Sequence, residues 1–121
     1  MAEARIYSVL SASTLVNRIV NTRVYPVVMP QDVVLPAITY QRISDNKEYH
    51  LSGYSGLENP HIAIFSWGTA YDTVKDLAKQ IRITMDAATT YKSILTNELD
   101  YYDNDLALYA VSQEYSVWSQ E

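Results

Sequence analysis

The clearest periodic signal lies in residues 70–87, where Tyr71, Val74, Ala78, Ile81 and Met85 recur at three- and four-residue steps. Leu77 widens that apolar stripe, and Asp72, Lys75, Asp76, Lys79 and Arg82 cover the other side, which predicts an amphipathic helix. Thr69, three residues before Asp72, resembles a capping box with the shorter acid. In residues 3–20, Ile6, Val9, Leu10, Val16, Ile19 and Val20 keep helical spacing with a gap around Ser11, Ala12 and Ser13. Two short helices or one broken helix fit equally well. Ser11 or Ser13 suits the cap of the second piece, because a hydroxyl there accepts from an otherwise unpaired first-turn amide.

Elsewhere the pattern turns to strands. Residues 23–28 are β-branched but cut by Pro26, so they predict an edge or end strand. Pro30 and Pro36 bracket a stiff connector, and residues 35–43 follow as a strand, since Ile38, Thr39, Tyr40 and Ile43 favour a pleated surface. Residues 45–60 hold Gly53 and Gly56 with several Ser and Asn, which predicts a long loop or a flexible hairpin arm. Residues 61–67 are apolar on both faces, as a central strand is. A weaker apolar stretch spans 91–99, and Asp100, Tyr101, Tyr102, Asp103, Asn104 and Asp105 make a turn-rich link. In the final segment Ala107, Tyr109, Val111, Tyr115 and Val117 share one face against Ser112, Glu114 and Ser116, a period of two over roughly 40 Å of strand. The order predicts a single α+β domain over 1–121: a mostly antiparallel sheet of four to five strands with two main helices packed on one face.

At 121 residues the chain is long enough to bury about two thirds of its unfolded surface without staples. Cysteine is absent, which removes disulfides, thiolate zinc sites and thiol nucleophiles together. The first residues are too polar for a signal peptide, and no run of about 18 apolar residues predicts a membrane span. The expectation is therefore a protein made in the cytoplasm with no membrane partner. Eleven of the fourteen aromatic residues are Tyr, a side chain with an apolar body and a polar tip that suits interfaces.

The net charge of −5 is unevenly placed. Residues 1–97 hold nine basic and eight acidic side chains, whereas Glu98, Asp100, Asp103, Asp105, Glu114 and Glu121 stand with no base beyond residue 97. Such a segment is either a solvated turn and tail or a surface that faces negative charge without adhering to it.

Catalytic constellations are scarce. His50 and His61 lack metal-ligand spacing, and Asp100, Asp103 and Asp105 lack the glycine and closing glutamate of a calcium loop. No glycine loop cradles phosphate, and Ser66, Trp67 and Gly68 lack the glycine pattern of a nucleophile elbow. Neither an enzyme nor a bound metal or cofactor is expected. Asp72 and Asp76 beside Lys75 and Lys79 predict a self-neutralising helix face.

Three stretches carry a resemblance. The first is the N-terminal amphipathic segment running into Arg23-Val24-Tyr25-Pro26 and Leu35-Pro36-Ala37-Ile38-Thr39-Tyr40. The second passes from Ile62-Ala63-Ile64-Phe65-Ser66-Trp67-Gly68 into the helix of Tyr71, Val74, Leu77, Ala78 and Ile81. The third is the ending Leu108-Tyr109-Ala110-Val111 through Tyr115, Val117 and Trp118. In their order and spacing they resemble the tail completion or tail terminator proteins of long-tailed bacteriophages, over most of the chain. The 45–60 stretch departs from that family, whose members often turn more tightly there.

The resemblance implies a non-enzymatic virion protein of the tail, assembled in the host cytoplasm. Its members form rings, commonly hexameric, that cap the tail tube and present a surface to the head connector. The implied partners are further copies of the chain, the major tail tube protein and the head–tail connector protein, with DNA passing unbound. Asp100, Asp103 and Asp105 are the candidate channel lining, since carboxylates repel phosphates in every register. Subunit contacts are expected at Val111, Tyr115, Val117 and Trp118, on the premise that the last strand has an open edge, and at Tyr49 and Tyr54 in the arm. The competing reading is a small α+β ligand-binding or regulatory module with a tyrosine-lined cleft.

Overall fold

The computed structural model describes residues 2–21, 23–50, 53–88 and 91–120; the side chains of 2–3, 45–59 and 119–120 lie outside that description. Its elements are α1 (Ala2–Ala12), α2 (Thr14–Val20), β1 (Val24–Pro26), β2 (Ala37–His50), β3 (Gly53–Gly68), α3 (Tyr71–Ala87), β4 (Lys92–Asp103) and β5 (Leu108–Gln120). The strands form one sheet in the order β1-β2-β3-β5-β4. β1 runs parallel to β2 and every other pair is antiparallel, so the fold is α+β as the element order predicts.

The helical layer has three members because Ser13 breaks the N-terminal segment. Its backbone is extended, and its Oγ accepts from the Val16 amide at 3.3 Å, which caps α2. The same hydroxyl meets Thr84 Oγ1 of α3 at 2.9 Å, tying the break to the long helix. At the start of α3 the expected capping box does not form: Ala70 holds the cap position, with no side-chain bond.

Ile6 and Leu10 of α1, Val16 and Val20 of α2, and Leu77, Ile81 and Met85 of α3 are buried against Ile38, Ile62, Ile64, Tyr115 and Val117 of the sheet. Each such side chain contributes roughly 1.5–3 kcal/mol by leaving water. The helices thus cover one face of the sheet. Alternation along the strands sends Thr39, Phe65, Trp67, Leu99 and Tyr101 to the other face, which no helix among the described residues covers.

Of the two readings of the 45–60 stretch the hairpin arm holds: residues 45–50 and 53–60 pair as the end of a β2–β3 hairpin, with Tyr49 opposite Tyr54 and His50 opposite Gly53. Two other expectations change. The Asp100–Asp103 part of the expected link belongs to β4, and the turn begins at Asn104. Most consequentially, β5 pairs with β3 on one side and β4 on the other. Its premise of an open edge fails, because both of its backbone edges are used within the chain. Its inward face is Val111, Gln113, Tyr115 and Val117, while Ala107 falls in the turn and Tyr109 is exposed.

Candidate assembly surfaces

The sheet has two outer strands. β4 is bordered on one side only, along its whole length. β2 is covered on its outer side by β1 at Ile38, Thr39 and Tyr40 alone. β1 ends there for a local reason: Pro26 has no amide to donate, and Val27 takes φ 63° while Val28 N bonds Pro26 O at 2.6 Å, which turns the chain away. From Gln41 onward no strand among the described residues flanks that side of β2.

Beside this open edge lies a cleft of about 900 Å³ lined by Ala4, Tyr7, Ser8, Pro26, Val27, Tyr40, Gln41 and Arg42. Tyr7 and Tyr40 stand 6.4 Å apart at ring centres and give it an apolar wall.

At the opposite side, Asp100 is held within its own chain. It accepts from the Tyr71 hydroxyl at 2.6 Å and from Lys75 Nζ at 3.2 Å. The Tyr71 hydrogen bond first, and Lys75 with it, keeps the Asp100 carboxyl below the usual carboxylate range, against the opposing effect of partial burial. The same bond to Asp100 raises the Tyr71 phenol and the Lys75 ammonium. Glu98 accepts from the Gln113 amide at 3.0 Å and faces Arg82 at 3.8 Å. Lys75 and Arg82 of α3 therefore reach across to β4, where the sequence pattern had Lys75 neutralised along the helix by Asp72 and Asp76. Asp103 caps the β4–β5 turn, its Oδ1 accepting from the Asp105 and Leu106 amides at 3.0 Å each. Asp105 is exposed within that turn.

Two groups of aromatic rings flank this side. On the uncovered sheet face Phe65 stacks on Trp67 at 5.9 Å, and Tyr101 meets both edge-on at 6.4 and 6.0 Å. Trp67 Nε1 donates to Thr39 Oγ1 at 3.0 Å, which satisfies its polar edge. At the end of α3, Tyr109 contacts Tyr71 and Tyr102 at 5.9 and 4.9 Å.

The expected contact residues thus divide. Val111, Tyr115 and Val117 are wholly buried in the chain's own core, beneath the helices, and offer no side-chain surface to a neighbour. Burial raises the Tyr115 phenol well above its usual range. Trp118 is exposed. Tyr49 and Tyr54 are placed only as backbone partners near the hairpin end, and their side chains lie outside the described residues. Asp103 and Asp105 share the β4–β5 turn, and Asp100 stands three residues before Asp103 in β4, turned to Tyr71 and Lys75.

The Phe65, Trp67 and Tyr101 group was missed in the sequence although its signal was present. A strand apolar on both faces reads as doubly covered, whereas here one face carries an aromatic cluster of half-buried Phe65 and Trp67 with exposed Tyr101. The β2 cleft had no sequence signal, because it depends on where β1 stops.

Residues 4–120 match the model of the family described as tail completion protein gp17. No curated protein matches the chain in sequence. Among solved structures, a chain from the virion of a native gene transfer agent particle has a similar fold, with a TM-score of 0.73 at 12% identity, over 96% of this chain and 92% of that one.

Proposed function

The chain belongs to the tail completion protein gp17 family, and from that premise we propose that it is a structural virion protein that caps the end of a tail tube as a ring and forms the surface joined by the head. The family match across residues 4–120 carries this reading, because it takes in every element of the fold. Contact surfaces, not a reaction centre, then do the work. The partners are other copies of the chain, the major tail tube protein and the head–tail connector protein, met in the host cytoplasm during assembly and retained in the virion.

DNA passes such a ring without being held. The acidic β4–β5 corner suits that passage: Asp103 and Asp105 at the turn, with Asp100 beside them, repel phosphate within about 10 Å at moderate salt. We assign these three to the lumen or its rim. Trp118 and the β2–β3 hairpin that bears Tyr49 and Tyr54 are assigned to contacts between subunits. Val111, Tyr115 and Val117 are withdrawn from that role by their burial.

A small-molecule function would have to use the Tyr7 and Tyr40 cleft. That cleft lies open along a sheet edge, whereas ligand sites enclose most of a small molecule's surface. Deleting the gene from the particle that encodes it tests the proposal. Heads and tails that accumulate unjoined, and that join when the wild-type chain is resupplied, are the expected result; normal joined particles would overturn it.

A further inference from the structure

We propose that Tyr71, Tyr102 and Tyr109, with the carboxylates of Asp103 and Asp105 beside them, dock an arginine-bearing surface of the tail tube protein; this rests on the ring reading above. The patch has a structural cause. Tyr102 and Tyr109 pair across β4 and β5 two residues beyond Asp100 and Val111, so they stand on the same, helix-side face of the sheet. α3 begins only at Tyr71, and that ring meets Tyr109 at 5.9 Å while Tyr109 meets Tyr102 at 4.9 Å. The helix thus ends before it covers this row. All three rings stay exposed, Tyr102 by 47%, and Leu106 in the adjoining turn is exposed as well.

Charge selects the occupant. This corner holds Asp72, Asp100, Asp103 and Asp105 against Lys75, and Lys75 is taken by Asp100 at 3.2 Å. One turn further along α3, Lys79 and Arg82 are matched by Asp76 and Glu98. Toward β1, Arg23 is turned to the Pro36 and Ile19 carbonyls. Asp72, Asp103 and Asp105 therefore face no cation among the described residues, and Asp103 bonds only the turn amides. Aromatic faces rimmed by uncompensated carboxylates favour a cation that also stacks. Guanidinium does both, lying flat on a ring while its edge meets a carboxylate. One ring already serves a cation of its own chain, since Lys75 Nζ stands 5.9 Å from the centre of the Tyr71 ring.

Position separates this patch from the contacts between subunits. Those were assigned to the β2–β3 hairpin and to Trp118, which lies opposite Lys92, the first residue of β4. Tyr102 and Asp103 are the last two residues of β4, at the other end of the strands. The corner is thereby left to a different protein. Capping requires the ring to hold the tube end before any head arrives, so the tube protein is the occupant. Of the lumen and its rim, this contact selects the rim for Asp103 and Asp105.

Two variants test the two halves of the patch. Asp103→Asn with Asp105→Asn removes both charges and keeps an oxygen for the Asp105 and Leu106 amides. Tyr102→Leu keeps apolar bulk and removes the ring face. Asp105→Lys replaces the double variant if that one fails to fold. Full-length proteins are cosedimented with purified tail tubes at low and high salt, viewed by electron microscopy, and the capped tubes are then mixed with tailless heads. Each variant is expected to bind tubes about tenfold more weakly at low salt, to lose less on adding salt where the charges are gone, and to form closed rings on tubes at saturating protein. Unchanged or tighter tube binding by the double variant would overturn the inference. Incomplete rings at saturation would move the patch between subunits, and weakened joining to heads with normal tube binding would give it to the connector; either overturns it while leaving the ring intact. A wild-type chain that neither binds tubes nor forms rings would overturn the ring reading and this inference together.

Discussion

Tyr115 separates the core reading of β5 from the contact reading, through a substitution whose predicted sign is unusual. Its side chain is wholly buried, and its hydroxyl has no hydrogen-bond partner among the described residues. A buried, unsatisfied polar group costs about 1–3 kcal/mol. Tyr115→Phe removes that cost and leaves only the small space of one oxygen, whose loss of packing is about 1 kcal/mol. The net expectation is stabilisation of about 1 kcal/mol. With an unfolding entropy of about 2.1 cal/mol/K per residue, a 121-residue domain gains about 4 °C in Tm for each kcal/mol.

The alkaline limb gives a second check on the same residue. Burial raises the Tyr115 phenol, so its contribution to stability is complete below the unfolded value of about 10 and is lost as pH rises beyond it. The Phe variant lacks that loss, and its advantage therefore widens above about pH 10. Urea unfolding at neutral and alkaline pH measures both effects, with Tyr115→Ala, expected to cost about 3–5 kcal/mol, as the packing control. Destabilisation of 1 kcal/mol or more by Tyr115→Phe would refute the reasoning, since it would mean that the hydroxyl has a partner.

Other substitutions probe the joints of the fold. A Cβ at Gly68 would lie 2.7 Å from Val74 Cγ2, which is itself buried, so Gly68→Ala is expected to cost about 1–3 kcal/mol in urea unfolding. Adding Val74→Ala to it should cost less than the two changes separately, and strict additivity would contradict the clash. The lowered Asp100 carboxyl contributes stability that is present above the unfolded value of about 3.9 and is lost as pH falls through its lower folded value. Asp100→Asn should therefore be less stable than wild type at neutral pH and equal to it in strong acid. An unchanged gap across that range would contradict the tie to Tyr71 and Lys75.

Much of the fold was legible because periodicity reports which face is wet. The α3 stripe, the break at Ser13 and the central place of residues 61–67 all follow from local pattern. Sheet order is not local. The alternation of Val111, Tyr115 and Val117 reveals a strand with one apolar side, but says nothing of what borders it. Only the pairing with β3 and β4 shows that its edges are occupied and its apolar side is core. The acidic clustering of Asp100, Asp103 and Asp105 was likewise visible as composition, whereas their ties to Tyr71, Lys75 and the turn amides depend on α3 packing beside β4. The cleft at β2 exists because β1 stops at Pro26, a consequence of Val27's backbone that no periodicity encodes.

The central claim is that this chain closes the end of a tail tube. Electron microscopy of purified tail tubes mixed with the full-length protein tests it most directly. The account predicts a closed ring of added density at one end of each tube and none along its length; tubes whose ends remain bare at saturating protein would contradict it.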